Sequence, residues 1–293
     1  MNSPELKRRD FLISVASALA ALPVVSNARS EDETSPIADI EASVGGRVGV
    51  FAVDTASGNT LAHRADEHFA MCSTFKWVLA ATALEQVERN LLSLDDHIAY
   101  TQADLLAYAP ATREHVAKGF MTVSDLIRAA MVVSDNTAAN LLLSKLGGPS
   151  VITKFARSCG DAVTRLDRNE PALNSNEPGD LRDTTSPQAM ATLMREVLCR
   201  NRLSSKSRDQ LIQWLRDCET GRDRLRANLP KDWIVGDKTG TGDHGAVNDV
   251  AIAIPPGRSP ILIAAFLSEG KADRPALIAA HASIGSLVAH HFT

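Results

Sequence analysis

The strand-like runs of this chain lie near its two ends and its helical patterns lie between them, an order that few folds accommodate. After a short helical stretch from Ile37, the runs Arg47 to Asp54 and Thr60 to Arg64 flank Ser57-Gly58-Asn59 and read as a hairpin. From Thr74 to about Cys218 apolar residues recur at three and four, as in Phe75, Val78 and Leu79. Within that region Thr122-Val123-Ser124-Asp125 resembles a capping box, and Gly147-Gly148-Pro149 closes a helix. Strands resume at Trp233 to Val235, Val250 to Ile254 and Ile261 to Leu267, interrupted by Pro255-Pro256-Gly257, before an alanine-rich helix ends the chain. A single antiparallel sheet built from both chain ends, flanked by helices and with an all-α domain inserted in its middle, satisfies this order most economically. The expected class is therefore α+β, with 32–68 and 217–293 forming the sheet part and 69–216 the helical part.

Composition narrows what such a fold can do. At 293 residues and 44% apolar content the chain can bury a large core, and a net charge of -4 offers no basic field for nucleic acid. Aromatic residues at 4% are too few for a stacking platform. The segment 1–28 reads as an export signal: Lys7, Arg8 and Arg9 precede an apolar run from Phe11 to Val25, followed by the small residues Ser26 and Ala28. That run is shorter than the roughly 20 residues that span a bilayer, and Arg8-Arg9 before Asp10-Phe11-Leu12 resembles a twin-arginine signal. A periplasmic or secreted protein, free of the membrane after cleavage at Ala28, is the expectation. Cys72, Cys159, Cys199 and Cys218 are too sparse for a stapled mini-protein and read as buried apolar thiols. The eight histidines form no metal-binding pair, so neither metal nor other cofactor is expected.

The chemistry-bearing residues fall into four groups. Ser73 and Lys76 form a Ser-x-x-Lys at a helix start, which puts the amine one turn from the hydroxyl and the helix N-terminal N–H groups near a developing oxyanion. Alone, such a tetrad is most often a capping serine and a surface lysine. Ser134-Asp135-Asn136 lies at a helix junction, and Lys238-Thr239-Gly240 runs along a strand, where the glycine permits close approach of a ligand. The fourth group sits in 165–185, a stretch with Pro171, Asn174, Asn176, Pro178 and Gly179 and little periodicity, of a length typical of functional loops. Arg168 and Asp183 near its ends either pair and pin it or are solvated surface charges.

Taken in this order, Ser-x-x-Lys, Ser-Asp-Asn and Lys-Thr-Gly resemble the motif set of class A β-lactamases and penicillin-binding proteins, over a region from about Ile37 to the C-terminus. Glu170-Pro171-Ala172-Leu173-Asn174 resembles the deacylation segment of the former. The resemblance implies a class A serine β-lactamase that opens the lactam amide of penicillins and cephalosporins through an acyl-serine. It implies Ser73 as nucleophile, the N–H groups of Ser73 and Thr241 as oxyanion hole, and Ser134 as proton donor to the leaving nitrogen. Lys76 would lie among Ser73, Ser134 and Asn136, Lys238 would hold Ser134 and the substrate carboxylate, and Asn136 would bond the acyl amide. Glu170 would activate the hydrolytic water with Asn174 as its second ligand, and whether Lys76 or Glu170 takes the Ser73 proton stays open. A cis bond between Glu170 and Pro171 is also implied.

Further positions follow less directly. Arg224 falls where some members place a carboxylate-binding arginine, with Arg274 as second choice, and Tyr108 resembles the aromatic wall of the cleft. Thr241, Asp243 and His244 would line the strand edge, with Thr239 and Gly240 as further substrate-binding positions. Cys72 matches carbapenem-hydrolysing relatives in which that cysteine is bridged, but Gly242 occupies the partner's place, so the bridge is not expected. A penicillin-binding carboxypeptidase would have no use for Glu170 and Asn174, and a drug sensor would be expected to lack an efficient water base. An α/β-hydrolase is excluded because no Gly-x-Ser-x-Gly occurs. The expected partner is a small β-lactam, and a monomer is the default.

Overall fold

The structure, a computed structural model, describes Met1 and residues 36–293; the export-signal reading of 1–28 lies outside the described residues. Nine strands are present among them: β1 (Arg47–Asp54), β2 (Thr60–His63), β3 (Phe69–Ala70), β4 (His97–Ala99), β5 (Phe120–Thr122), β6 (Thr184–Thr185), β7 (Ile234–Thr241), β8 (Val247–Ile254) and β9 (Ile261–Ser268). The helices are α1 (Pro36–Val44), α2 (Phe75–Glu88), α3 (Pro110–His115), α4 (Val123–Val132), α5 (Asn136–Leu146), α6 (Ser150–Ser158), α7 (Pro187–Leu198), α8 (Ser205–Arg216) and α9 (Arg274–Phe292).

The main sheet has the order β2-β1-β9-β8-β7, antiparallel throughout. The two ends of the chain meet at its centre, where Val50 of β1 faces Ala265 of β9. Strand β9 is buried along its whole length, and its alternation explains why. Leu262, Ala264 and Phe266 enter the core on one face while Ile261, Ile263, Ala265 and Leu267 enter the core on the other. Both faces are thus covered, by α1 and α9 on one side and by the helical segment on the other. Each large aliphatic side chain so buried contributes about 2 kcal/mol, which anchors the sheet from both sides.

The helical segment is continuous with that core. Helix α2 is buried at every position from Phe75 to Leu84, so it is a central helix and not an amphipathic surface one. Helix α7, inside 69–216, packs on β1 and β9, and β6 pairs with β3, so the sheet side and the helical side share one apolar cluster. Thr122 caps α4 through its hydroxyl and Asp125 N–H at 3.1 Å, but the reciprocal arm of a capping box is made elsewhere, between Thr101 and Asp104. Gly147 ends α5 in the left-handed conformation.

All four cysteines are free thiols. Cys72 and Cys218 are buried as expected, whereas Cys159 and Cys199 are only half-buried, because each stands at the C-terminal end of its helix where the backbone turns outward. Burial raises all four thiols above their ordinary value, as it disfavours the thiolate.

Candidate active site

The turn bearing Ser73 is a single 3-10 turn, Cys72–Thr74, that runs into α2. Ser73 therefore precedes the helix proper, and Lys76 sits in its first turn. The turn is clamped from three sides. Asn248 on β8 donates to Ala70 O at 2.8 Å and Met71 O at 3.2 Å, Thr74 Oγ1 donates back to Met71 O at 2.8 Å, and Met71 N–H donates to Asp183 O at 2.9 Å. Strand β7 passes so near that a Cβ at Gly240 would stand 2.7 Å from Met71 O and 3.2 Å from Ser73 N. This approach, which only glycine permits, brings the Ser73 N–H beside the Thr241 end of the strand.

Ser134 lies between α4 and α5 with φ +59°, a left-handed backbone that costs a non-glycine residue of order 1 kcal/mol. The buried Asp135 holds it there. Its carboxylate caps α5 through Ala138 N–H at 2.9 Å and accepts from the N–H groups of Ala111 and Thr112 at 3.0 and 2.9 Å. The same bonds position the segment before α3, where Tyr108 stands half in solvent with its hydroxyl donating to Val133 O at 3.2 Å.

Ser73 Oγ donates to Glu170 Oε1 at 3.0 Å. Lys76 Nζ lies 3.1 Å from the same oxygen, 2.6 Å from Asn136 Oδ1, 2.8 Å from Ser134 O and 3.4 Å from Ser134 Oγ. Its three shortest contacts are all to acceptors, the surroundings of an ammonium. Burial pulls its pKa below the ordinary lysine value, and the charge of Glu170 pushes it back up. Lys238 Nζ donates to Ser134 Oγ at 3.0 Å and Thr239 O at 2.8 Å, and burial lowers its pKa to about 8. Ser134 is thus approached by both lysines.

Glu170 is 4% exposed, not solvated as a lone acid in a polar loop would be. Its backbone is fastened to Asn140 on α5, which donates to Glu170 O at 2.8 Å and accepts from its N–H at 3.0 Å. Asn174, in the 3-10 turn Ala172–Asn174, donates to Glu170 Oε2 at 2.5 Å. Its own Oδ1 is buried without a protein partner. The bond between Glu170 and Pro171 is cis. Arg168 Nε meets Asp183 Oδ2 at 2.5 Å, and the other oxygen of Asp183 accepts the N–H groups of Asp167 and Arg168 at 2.7 and 2.9 Å. The two ends of the 165–185 loop are thereby joined.

Arg224 is buried, and burial lowers its pKa. Its Nη1 donates to Gly240 O and Asn248 O at 2.8 and 2.5 Å, and its Nη2 to Thr241 Oγ1 at 2.8 Å. Arg274 is exposed at the rim. Ser73, Tyr108, Ser134, Asn136, Asn174, Thr239, Gly240, Thr241, Arg224 and Arg274 all line one cleft of about 420 Å³, with Thr220 bonded to Thr239 at 2.5 Å. Lys76, Glu170 and Lys238 lie behind that lining and reach it through Ser73 and Ser134.

Two residues that organise the site, Asn140 and Asn248, escaped the sequence reading, and Asp135 was read there only as a member of its motif. Asn140 falls four residues after Asn136, hence on the same face of α5, and that spacing was the available signal. Asn248 and Asp135 act on backbone groups distant in sequence, which no local pattern reports.

A family model described as the Beta-lactamase enzyme family matches residues 34–292. Beta-lactamase L2 of Stenotrophomonas maltophilia is 48% identical over 281 residues, covering 90% of this chain and 92% of the relative. Beta-lactamase CTX-M-8 of Citrobacter amalonaticus is 45% identical, covering 88% and 89%. Among solved structures, the ancestral (GNCA) class A β-lactamase superposes with a TM-score of 0.86 at 52% identity, covering 87% of this chain and 98% of that one.

Proposed function

This chain belongs to the class A β-lactamase family and hydrolyses β-lactams, giving resistance to them, and from that premise we propose how its own residues divide the work. Ser73 attacks the lactam carbonyl, and its proton passes to Glu170, the acceptor to which its hydroxyl is bonded. Lys76 remains cationic through this step and stabilises the charge that moves between Ser73 and Glu170. The tetrahedral oxyanion is received by the N–H groups of Ser73 and Thr241, where one such donor is typically worth roughly 3 kcal/mol. Ser134, with Lys76 and Lys238 both on its hydroxyl, hands a proton to the departing nitrogen and regains one from Lys76, which Glu170 reprotonates in turn, so that Glu170 is again a carboxylate for the second step.

Deacylation uses the other side of the same carboxylate. A water activated by Glu170 attacks the acyl-Ser73 ester, and the unpartnered Oδ1 of Asn174 is the acceptor that orients it. Asn136 bonds the acyl amide. Thr239, Thr241 and Lys238 take the substrate carboxylate, and Arg224 acts through Thr241, to whose hydroxyl it donates, and through its charge at the back of the cleft. Tyr108 forms the wall opposite β7, and Gly240 keeps the strand close to the nucleophile. Arg168, Asp183 and Pro171 hold the loop that carries Glu170. Activity as a monomer, free of the membrane, and export to the periplasm or medium by the 1–28 segment belong to the same proposal; among the described residues no helix is long and apolar enough to cross a membrane.

The observation that carries this reading is the hydrogen bond from Ser73 to a buried carboxylate that also touches Lys76. Two variants test it. Glu170→Ala, which lacks the acceptor of the Ser73 proton, is expected to be acylated slowly and then to stall, giving a stable adduct by intact-protein mass spectrometry, and Ser73→Ala is expected to give none. Rapid turnover by the first, or labelling of the second, would reject the assignments.

A further inference from the structure

The loop that carries Glu170 and the turn between β7 and β8 meet along a narrow seam at the side of the cleft. Asp243 N–H donates to Asn174 O at 2.9 Å, and a Cβ at Gly242 would lie 2.5 Å from that same oxygen, so nothing separates the two backbones. Asn176 stands behind this contact. It is 8% exposed, its φ is +44°, and its Nδ2 donates to both Asp243 O and His244 O at 3.2 Å. Ser268 at the end of β9 donates its hydroxyl to Asn176 Oδ1 at 3.0 Å, which fixes the amide with its NH2 group toward the two carbonyls. On the far side, Glu269 N–H reaches His244 O at 2.7 Å, so the turn is tied to β9 as well. A buried carboxamide with all its contacts across three chain segments costs conformational freedom and desolvation that a plain loop residue does not.

We propose that Asn176 is a positioning and specificity-determining residue, whose carboxamide holds the β7–β8 turn against the Glu170 loop. It thereby sets two quantities at once. One is the placement of Asn174, and through it of Glu170, because Asn174 bonds the turn with its backbone and the carboxylate with its side chain. The other is the width of the cleft between Asn174 and Thr241, both of which line it. The first part rests on Glu170 being the water-activating base, and the second does not. The contact between His244 Nε2 and Glu177 Oε1, 3.4 Å apart on the exposed rim, adds little to the tie, since both groups are open to solvent.

The test compares Asn176→Asp, Asn176→Ala and Ser268→Ala with the unaltered enzyme. Asn176→Asp keeps the shape and tolerates the left-handed backbone, yet it turns a donor facing two carbonyls into an acceptor. Acylation and deacylation rates are read separately in single turnovers, with one β-lactam carrying a small unbranched acyl group and one carrying a large branched group. Both Asn176 variants are expected to slow deacylation roughly tenfold, the scale of losing a buried hydrogen-bond pair. They are also expected to raise the large-to-small ratio of acylation rates several-fold, and Ser268→Ala should move both quantities the same way by less. Rates and ratio within about twofold of the unaltered enzyme, with only the melting temperature lowered, would overturn the proposal and leave Asn176 a purely structural residue. Glu170→Ala, run alongside, separates the two claims. If it turned over freely the base assignment would fall, while the acylation ratio, read before any deacylation, would still decide the width.

Discussion

Lys238 has to be cationic to hold a substrate carboxylate, yet it is fully buried, and burial brings its pKa to about 8 from the ordinary 10.5. Activity and stability consequently respond to pH with opposite signs. Below about pH 8 the free enzyme keeps the charge, so kcat/KM is expected to fall as pH rises through about 8. Between about 8 and 10.5 the unfolded chain retains a proton that the folded chain has lost, so the Lys238 contribution to stability rises with pH over that window. Lys238→Arg, charged at every accessible pH, is expected to move the alkaline limb of kcat/KM upward; an unmoved limb in a pH-rate profile would assign it to another group. That Lys238, Lys76, Ser73 and Ser134 meet in one place was legible in the sequence because each belongs to a short motif and the motifs together resemble a known set, although each motif alone is common. Arg224 was legible as a position but not in its contacts, since its partners Gly240, Asn248 and Thr241 come from two strands that only the fold brings together.

The 165–185 loop shows the same division one level up. Its lack of periodicity marked it as a candidate functional segment, and the resemblance singled out Glu170 and Asn174 within it, the two residues that meet beside Ser73. The links that fix it, from Asn140 on α5, Asp243 in the β7–β8 turn and Ser268 on β9, cross the molecule and leave no trace in neighbouring residues. Asp183 is completely buried and closes the loop by accepting three N–H groups, one of them from the Arg168 guanidinium. Asp183→Ala leaves those donors without an acceptor and is expected to cost about 3 kcal/mol, the usual penalty for breaking a buried pair, as measured by denaturant unfolding. Because the loop presents Glu170, which takes the Ser73 proton and also activates the water, the same variant should slow both acylation and deacylation. Unchanged rates in both steps would mean that the Arg168–Asp183 link does not position Glu170. Helix α9 adds an acid limit. His281 is buried with Nε2 against Val247 O, and its pKa falls to about 3 from 6.5 because burial disfavours the cation. The unfolded chain takes up that proton first, so stability is lost as pH falls from 6.5 towards 3, and His281→Gln is expected to make that loss shallower.

For the molecule as a whole, the two-ended sheet was readable from the order of strands and helices, because only one antiparallel arrangement joins both chain ends economically. Strand β9 at its centre, buried on both faces, is what joins the two ends of the chain in one sheet. The close fit of the helical side to the sheet was not readable, because α7 and β6 reach across the boundary that composition suggests. That fit is what sets the Ser73 turn between β7, α5 and the Glu170 loop, so acyl transfer to the serine and its release to water depend on one shared core. Turnover requires that this release be fast and repeated. Intact-protein mass spectrometry of the enzyme during and after incubation with excess benzylpenicillin, with lactam absorbance followed in parallel, tests it most directly. A transient adduct that disappears as many lactams are consumed per protein is the expected result. One lasting adduct per protein, with no continuing loss of lactam, would contradict it.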